Sequence, residues 1–163
     1  MAKTIIPYFG EVDTDHPAES YPAKVGSGAG EILLDLNFLH GSVTDDWLTP
    51  LNHILADLPG FERKARQTIQ EDFKEGGEAK EYAVFHLEEV DDMRDQIMAL
   101  LEDSSKSDEE RVIDALRLRR IGFYPGERTF AVWDFHIAVE LTDQLLVVNL
   151  NAEGEPEYLR RES

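Results

Sequence analysis

The apolar residues of this chain change their period twice, and that change restricts its possible folds more than any other feature. Near the N-terminus, Glu31–Phe38 alternates strictly, with Ile32, Leu34, Leu36 and Phe38 on one face and Asp35 and Asn37 on the other, the two-residue repeat of a half-buried strand. Ile5–Phe9 and Tyr21–Val25 are shorter strand candidates. From about residue 44 to 118 the repeat becomes helical. Trp47, Leu48, Leu51, Ile54, Leu55 and Leu58 mark a first helix, capped at Thr49-Pro50 or beginning earlier, at Thr44. After Pro59-Gly60, Phe61, Ala65, Ile69 and Phe73 recur every four residues until Gly76-Gly77. A third helix runs from Glu78 to about Val90, with Ala79, Tyr82, Ala83, His86 and Val90 on one stripe. Asp91 or Asp92 caps a further turn or two through Met93, Ile97, Leu100 and Leu101, and Glu102–Lys106 reads as a polar loop. Ser107-Asp108-Glu109-Glu110 matches a capping box ahead of Val112, Ile113 and Leu116.

Past residue 118 the period returns to two. Arg119–Tyr124 is stopped by Pro125-Gly126. Arg128–Leu141 carries Ala131, Trp133, Phe135, Ile137, Val139 and Leu141 on its buried face. Turns at Thr142-Asp143 and Ala152-Glu153-Gly154 set off Gln144–Asn151 and Glu155–Arg161. Strands, then helices, then strands, without βαβ alternation, predict an α+β fold. Its sheet is mainly antiparallel, built from the N-terminal strands and a C-terminal meander, with four to five helices packed on one face. The length of 163 residues suits a single domain.

Charge narrows the functional classes. The chain has 34 acidic and 16 basic residues, net −18. The excess is −7 over residues 1–60, −6 over 61–120 and −5 over 121–163, so it is a property of the whole surface and not of a tail. Such a field repels phosphate backbones and anionic membranes and draws in basic proteins, so neither a nucleic acid nor a membrane is an expected partner. There is no cysteine, which removes disulfides, thiol catalysis and thiolate metal sites and fits a reducing compartment. No stretch matches a membrane span or a signal-peptide core, and the expected location is the cytoplasm.

Motifs for chemistry are few. His16, His40, His53, His86 and His136 are never three or four apart, so no helical zinc motif exists. Glu11–Asp15 resembles the opening of a calcium loop, but His16 and Pro22 stand where glycine and glutamate are required. Gly26-Ser27-Gly28-Ala29-Gly30 precedes a strand, whereas a phosphate-binding loop opens a helix. The serines sit in loops, caps or the terminus, with no nucleophile elbow. His86, on an apolar stripe, reads as a buried, hydrogen-bonded core residue. Arg117, Arg119 and Arg120 lie where helix meets strand, where a helix dipole accounts for them, with anion binding as the lesser reading. No cofactor, metal or catalytic set is expected.

One surface stands out. Asp134 and His136, two apart on one strand, project opposite Trp133 and Phe135, and Phe130 and Val132 share their face. If Glu31–Phe38 pairs in the same sheet, Asp35 and Asn37 join them. The candidate surface site is therefore Asp35, Asn37, Asp134 and His136. It reads as a solvated sheet face, an acid–base or cation site, or a mixed apolar and acidic docking patch.

Several words of the sequence resemble an uncharacterised bacterial family, catalogued as domain of unknown function two thousand and four. They are Phe9-Gly10-Glu11, Asp35-Leu36-Asn37-Phe38, Glu71-Asp72-Phe73, Glu78–Tyr82, Phe85–Glu89, Arg120–Pro125, Phe130–Phe135 and Thr142–Val148. The resemblance covers most of the chain in order. It implies a small bacterial cytoplasmic protein and brings no catalytic residues with it.

Two functions follow as expectations. The first is a protein-interaction module, such as an immunity-type inhibitor of a basic partner. The second is a small hydrolase or metal-dependent enzyme using the Asp/His cluster on the exposed sheet face. A homo-oligomeric structural or regulatory protein is a third reading, since the sequence does not specify oligomeric state.

Overall fold

A computed structural model describes residues 2–26, 30–89, 93–101 and 105–163. Most of the Gly26–Gly30 run, Val90, the expected Asp91 or Asp92 cap and most of the Glu102–Lys106 loop lie outside the described residues. The fold is α+β. Strands β1 (Lys3–Ile6) and β2 (Gly10–Asp13) form a separate antiparallel hairpin. Strands β3 (Ser20–Val25), β4 (Ile32–Asn37), β5 (Arg117–Phe123), β6 (Ala131–His136), β7 (Leu145–Leu150) and β8 (Pro156–Glu162) form one six-stranded sheet in sequence order. Every pairing in that sheet is antiparallel except β4 with β5, which are parallel. The helical block is therefore a crossover joining two parallel strands at the middle of the sheet, a connection that the strand and helix order did not reveal.

The helices are α1 (Leu48–Leu55), α2 (Leu58–Lys74), α3 (Glu78–Val84), α4 (Met93–Met98) and α5 (Asp108–Asp114). Their ends have local causes. The Asp46 carboxylate accepts the Thr49 N–H at 3.2 Å, so the cap of α1 lies ahead of Thr49-Pro50. Asp57 accepts from Gly60 N at 3.1 Å, which places Pro59-Gly60 inside the first turn of α2, where a proline is tolerated. Asp72, on α2, accepts from Ala79 N at 2.6 Å and so ties the start of α3 to the preceding helix. Ser107 caps α5 as the motif predicts, accepting from Glu110 N at 3.2 Å. After Val84 the third helix widens into a π-helical turn, Phe85–Glu89.

One hydrophobic cluster joins helices and sheet. Leu51, Ile54, Phe61, Ala65, Ile69, Tyr82 and Val112 meet Leu34, Leu36, Ile121, Phe123, Trp133, Phe135, Leu146, Val148 and Leu150. Two sequence readings change here. Strand β6 ends at His136; Ala138 O accepts from Thr142 N in the turn that follows, and Val139 is 54% exposed rather than buried. Phe130 precedes the strand and packs into the core, edge-on to Phe123 at 6.4 Å, instead of joining the opposite face. The sheet's edges are guarded. Pro22 sits within β3, and β8 carries Glu157, Arg160, Arg161 and Glu162, both devices that discourage strand addition.

His86 is fully buried. Its Nδ1 lies 2.8 Å from the Tyr82 carbonyl, which only accepts, so Nδ1 carries the proton. Nε2 then faces the Thr142 hydroxyl at 3.0 Å, and that hydroxyl oxygen accepts the Gln144 N–H at 3.1 Å. The Tyr82 hydroxyl donates to Gln144 O at 3.0 Å and accepts from Ile137 N at 3.2 Å. Together the two rings fasten α3 to the β6–β7 turn.

Candidate functional site

The register lays out the sheet face opposite the helices in rows. One row runs Pro22, Asp35, Gly122, Val132, Asn149, Tyr158; the next runs Lys24, Leu33, Arg120, Asp134, Val147, Arg160. A bulge between Leu118 and Arg120 puts Arg120, and not Arg119, opposite Asp134.

Arg120 organises the centre of this face. Its Nε and Nη2 bond the two oxygens of Asp35 at 2.6 and 2.7 Å, the forked geometry a guanidinium favours with a carboxylate. Nη1 reaches Asp134 at 3.2 Å, and Nη2 also donates to the Tyr124 hydroxyl at 2.8 Å. The Asn37 amide donates to Asp35 as well. Gly122 makes room for this arrangement: a Cβ there would meet Arg120 Nη2 at 2.5 Å and Tyr124 Cε2 at 3.0 Å. Three of the four residues expected from the sequence, Asp35, Asn37 and Asp134, thus gather around a fourth that was set aside as a helix-end cation. Arg120 is instead in mid-strand, since β5 begins at Arg117.

The cluster is not solvated as an open face would be. Asp134 is 8% exposed and His136 6%. Burial pushes the Asp134 carboxyl above the usual carboxylate range despite the opposing pull of Arg120. For Arg120, burial alone would pull the pKa down, but its bonds to Asp35 and Tyr124 win and the net shift is upward. His136 does not join Asp134 in an acid–base pair. It pairs across the sheet with Arg117 and lines a separate recess.

Beside Arg120 lies a groove of about 490 Å³, walled by Tyr124 and Arg128 on one side and Arg160 on the other, with Asp134 and Asn149 on its floor. Asn149 is fully buried, and neither its amide nitrogen nor its oxygen has a hydrogen-bond partner. A buried amide left this way costs on the order of 1–3 kcal/mol. Sequence reasoning passed over it, although one polar residue in the apolar run Leu145–Leu150 was a visible signal. An unpaired donor and acceptor thus lie side by side at the base of the groove, covered from solvent, and Arg128 at its rim makes no ion pair among the described residues.

Arg120 supplies the cation between Asp35 and Asp134, and among the described residues no three His, Asp or Glu are grouped to hold a metal. No family model matches the chain, and neither the curated proteins nor the solved structures contain a significant match. No described helix is long and apolar enough to cross a membrane.

Proposed function

We propose that this protein is a binding module rather than an enzyme, and that its groove takes an amide group of a basic partner protein. The observation that carries this reading is Asn149, a buried amide whose donor and acceptor both lack partners on the floor of an open groove. An incoming main-chain peptide, or an Asn or Gln side chain, presents the complementary acceptor and donor and cancels the desolvation cost. Net charge supplies the other half: a field of −18 speeds the approach of a basic protein. An immunity-type inhibitor is the form of this reading that the charge favours. Membership of the bacterial family named above and residence in the cytoplasm belong to the same proposal.

The test is retention of proteins from the native cell lysate on immobilised wild type and Asn149→Leu, eluted with rising salt. The reading expects one basic protein in stoichiometric amount on the wild type, released as salt rises and retained much less by the variant. Equal retention by both, or none by either, would sink it.

A further inference from the structure

The second recess on this face lies beyond the groove and shares none of its lining residues. It encloses about 300 Å³ between the end of α5, the start of β5 and the turn after β6, far more than the roughly 10–15 Å³ a single water requires. His136 forms part of its wall. The residue is 6% exposed, and neither ring nitrogen has a hydrogen-bond partner in the protein. Such a group normally finds one.

Arg117 and Arg119 stand beside it, brought to the same recess by the β5 bulge. Neither side chain forms a hydrogen bond or ion pair among the described residues. Lys3, Lys64, Arg66, Arg94, Arg120 and Arg161 each have an acidic partner, whereas Arg117 and Arg119, like Arg128, have none among the described residues. Two adjacent arginines left free next to an unsatisfied buried imidazole mark a place prepared for negative charge. Apart from Glu140 at the rim, the rest of the wall is apolar: Leu101, Ile137 and Ala138 inside, with Leu100 60% exposed and Val139 54% exposed at the mouth.

We propose that this recess binds a carboxylate carried on an apolar body, with Arg117 and Arg119 taking the carboxylate, His136 donating one hydrogen bond to it, and Leu100 and Val139 covering the apolar part. His136 is held neutral: burial, then the positive charge of Arg119, offset in part by Glu140 and reinforced by Arg117, lowers its pKa to about 4. On the next two strands the uncharged Leu145 pairs with Glu162. A bound anion opposes these arginines and raises the pKa of His136, so binding takes up protons and strengthens as pH falls. Glu140 on the rim works against the anion.

Octanoate, benzoate and inorganic phosphate serve as probes of the full chain, with the ¹³C-labelled imidazole of His136 observed by NMR and the heat of binding measured in two buffers of different ionisation enthalpy. Octanoate or benzoate should shift the His136 resonances saturably, at least tenfold more tightly than phosphate, with proton uptake. Arg117→Gln combined with Arg119→Gln should weaken binding tenfold or more, while Glu140→Gln should tighten it a few-fold. All three positions lie at the rim, and an unchanged melting temperature shows that the variants remain folded. A His136 signal unmoved by millimolar octanoate and benzoate overturns the proposal. So does binding indifferent to the double substitution, and phosphate binding as well as octanoate removes the apolar part of it.

Discussion

Arg120 and Asp35 join the two parallel strands of the sheet through a forked ion pair, at 2.6 and 2.7 Å, that lies across the junction of the N-terminal and C-terminal halves of the chain. Its value lies in what happens when one side is removed. Without the guanidinium, Asp35 and Asp134 face each other uncompensated, and stranding partners of a buried ion pair costs about 3–5 kcal/mol. The pair is partly exposed, with Arg120 at 31% and Asp35 at 20%, so Arg120→Met should cost about 2–3 kcal/mol at pH 7. The loss should shrink toward pH 4, because burial holds the Asp134 carboxyl above the usual carboxylate range and its charge is lost there. Urea unfolding of wild type and variant at both pH values measures this, and a difference independent of pH would refute it.

Gly122→Ala tests the same cluster without removing a charge. The added methyl meets the guanidinium and the Tyr124 ring, so the Arg120 head group must leave its fork with Asp35. The expected cost is about 1–3 kcal/mol, typical of overpacking. In a crystal structure of the variant, the Arg120–Asp35 distances should lengthen beyond hydrogen-bonding range.

Asn149→Leu should stabilise the free protein by about 1–2 kcal/mol, because an unsatisfied buried amide is replaced by an apolar group of similar size. A higher melting temperature together with lost partner retention is the pattern of a residue kept for binding at the expense of stability. A lower melting temperature would show that the amide is satisfied in solution.

Stability should fall as pH drops from about 6.5 toward 4. Both buried histidines have pKa values pushed down by burial, His136 to about 4. In that window the unfolded chain binds protons that the folded chain refuses, so unfolding gains. His136 alone contributes up to about 3 kcal/mol of this loss. Asp134, shifted upward, acts in the opposite sense near pH 4 and above. Chemical denaturation from pH 7 to 4 gives the slope, and His136→Phe should flatten it.

Tyr82→Phe removes a hydroxyl that both donates and accepts, stranding the Ile137 N–H and the Gln144 carbonyl. A loss of about 2–3 kcal/mol is expected in urea unfolding.

Much of this molecule could be read from residue patterns, and the exceptions share a cause. Period and capping chemistry are local, so β4, β6, β7, the Ser107 cap and the buried environment of His86 follow from a few neighbouring residues. Alternation reports which face a side chain occupies and not how deep it lies. Asp134 and His136 therefore read as surface residues, although both are buried, Asp134 beside Arg120 and His136 in the wall of its own recess. The role of Arg120 depends on a bulge and on a parallel neighbour some 85 residues away, and neither leaves a local trace. β2 was missed because Gly10–Asp13 holds a single buried apolar residue, Val12.

The sheet order also bears on how the chain reaches its native state. Strands β5 to β8 are successive neighbours, and so are β3 and β4, so each group can zip from short turns on its own. Their seam closes only when a connection of roughly 80 residues is brought round, an entropic cost met before any contact across it repays it. The ion pair across that seam lies where two separately assembled pieces dock, which makes it a latch that closes late rather than a seed of the fold.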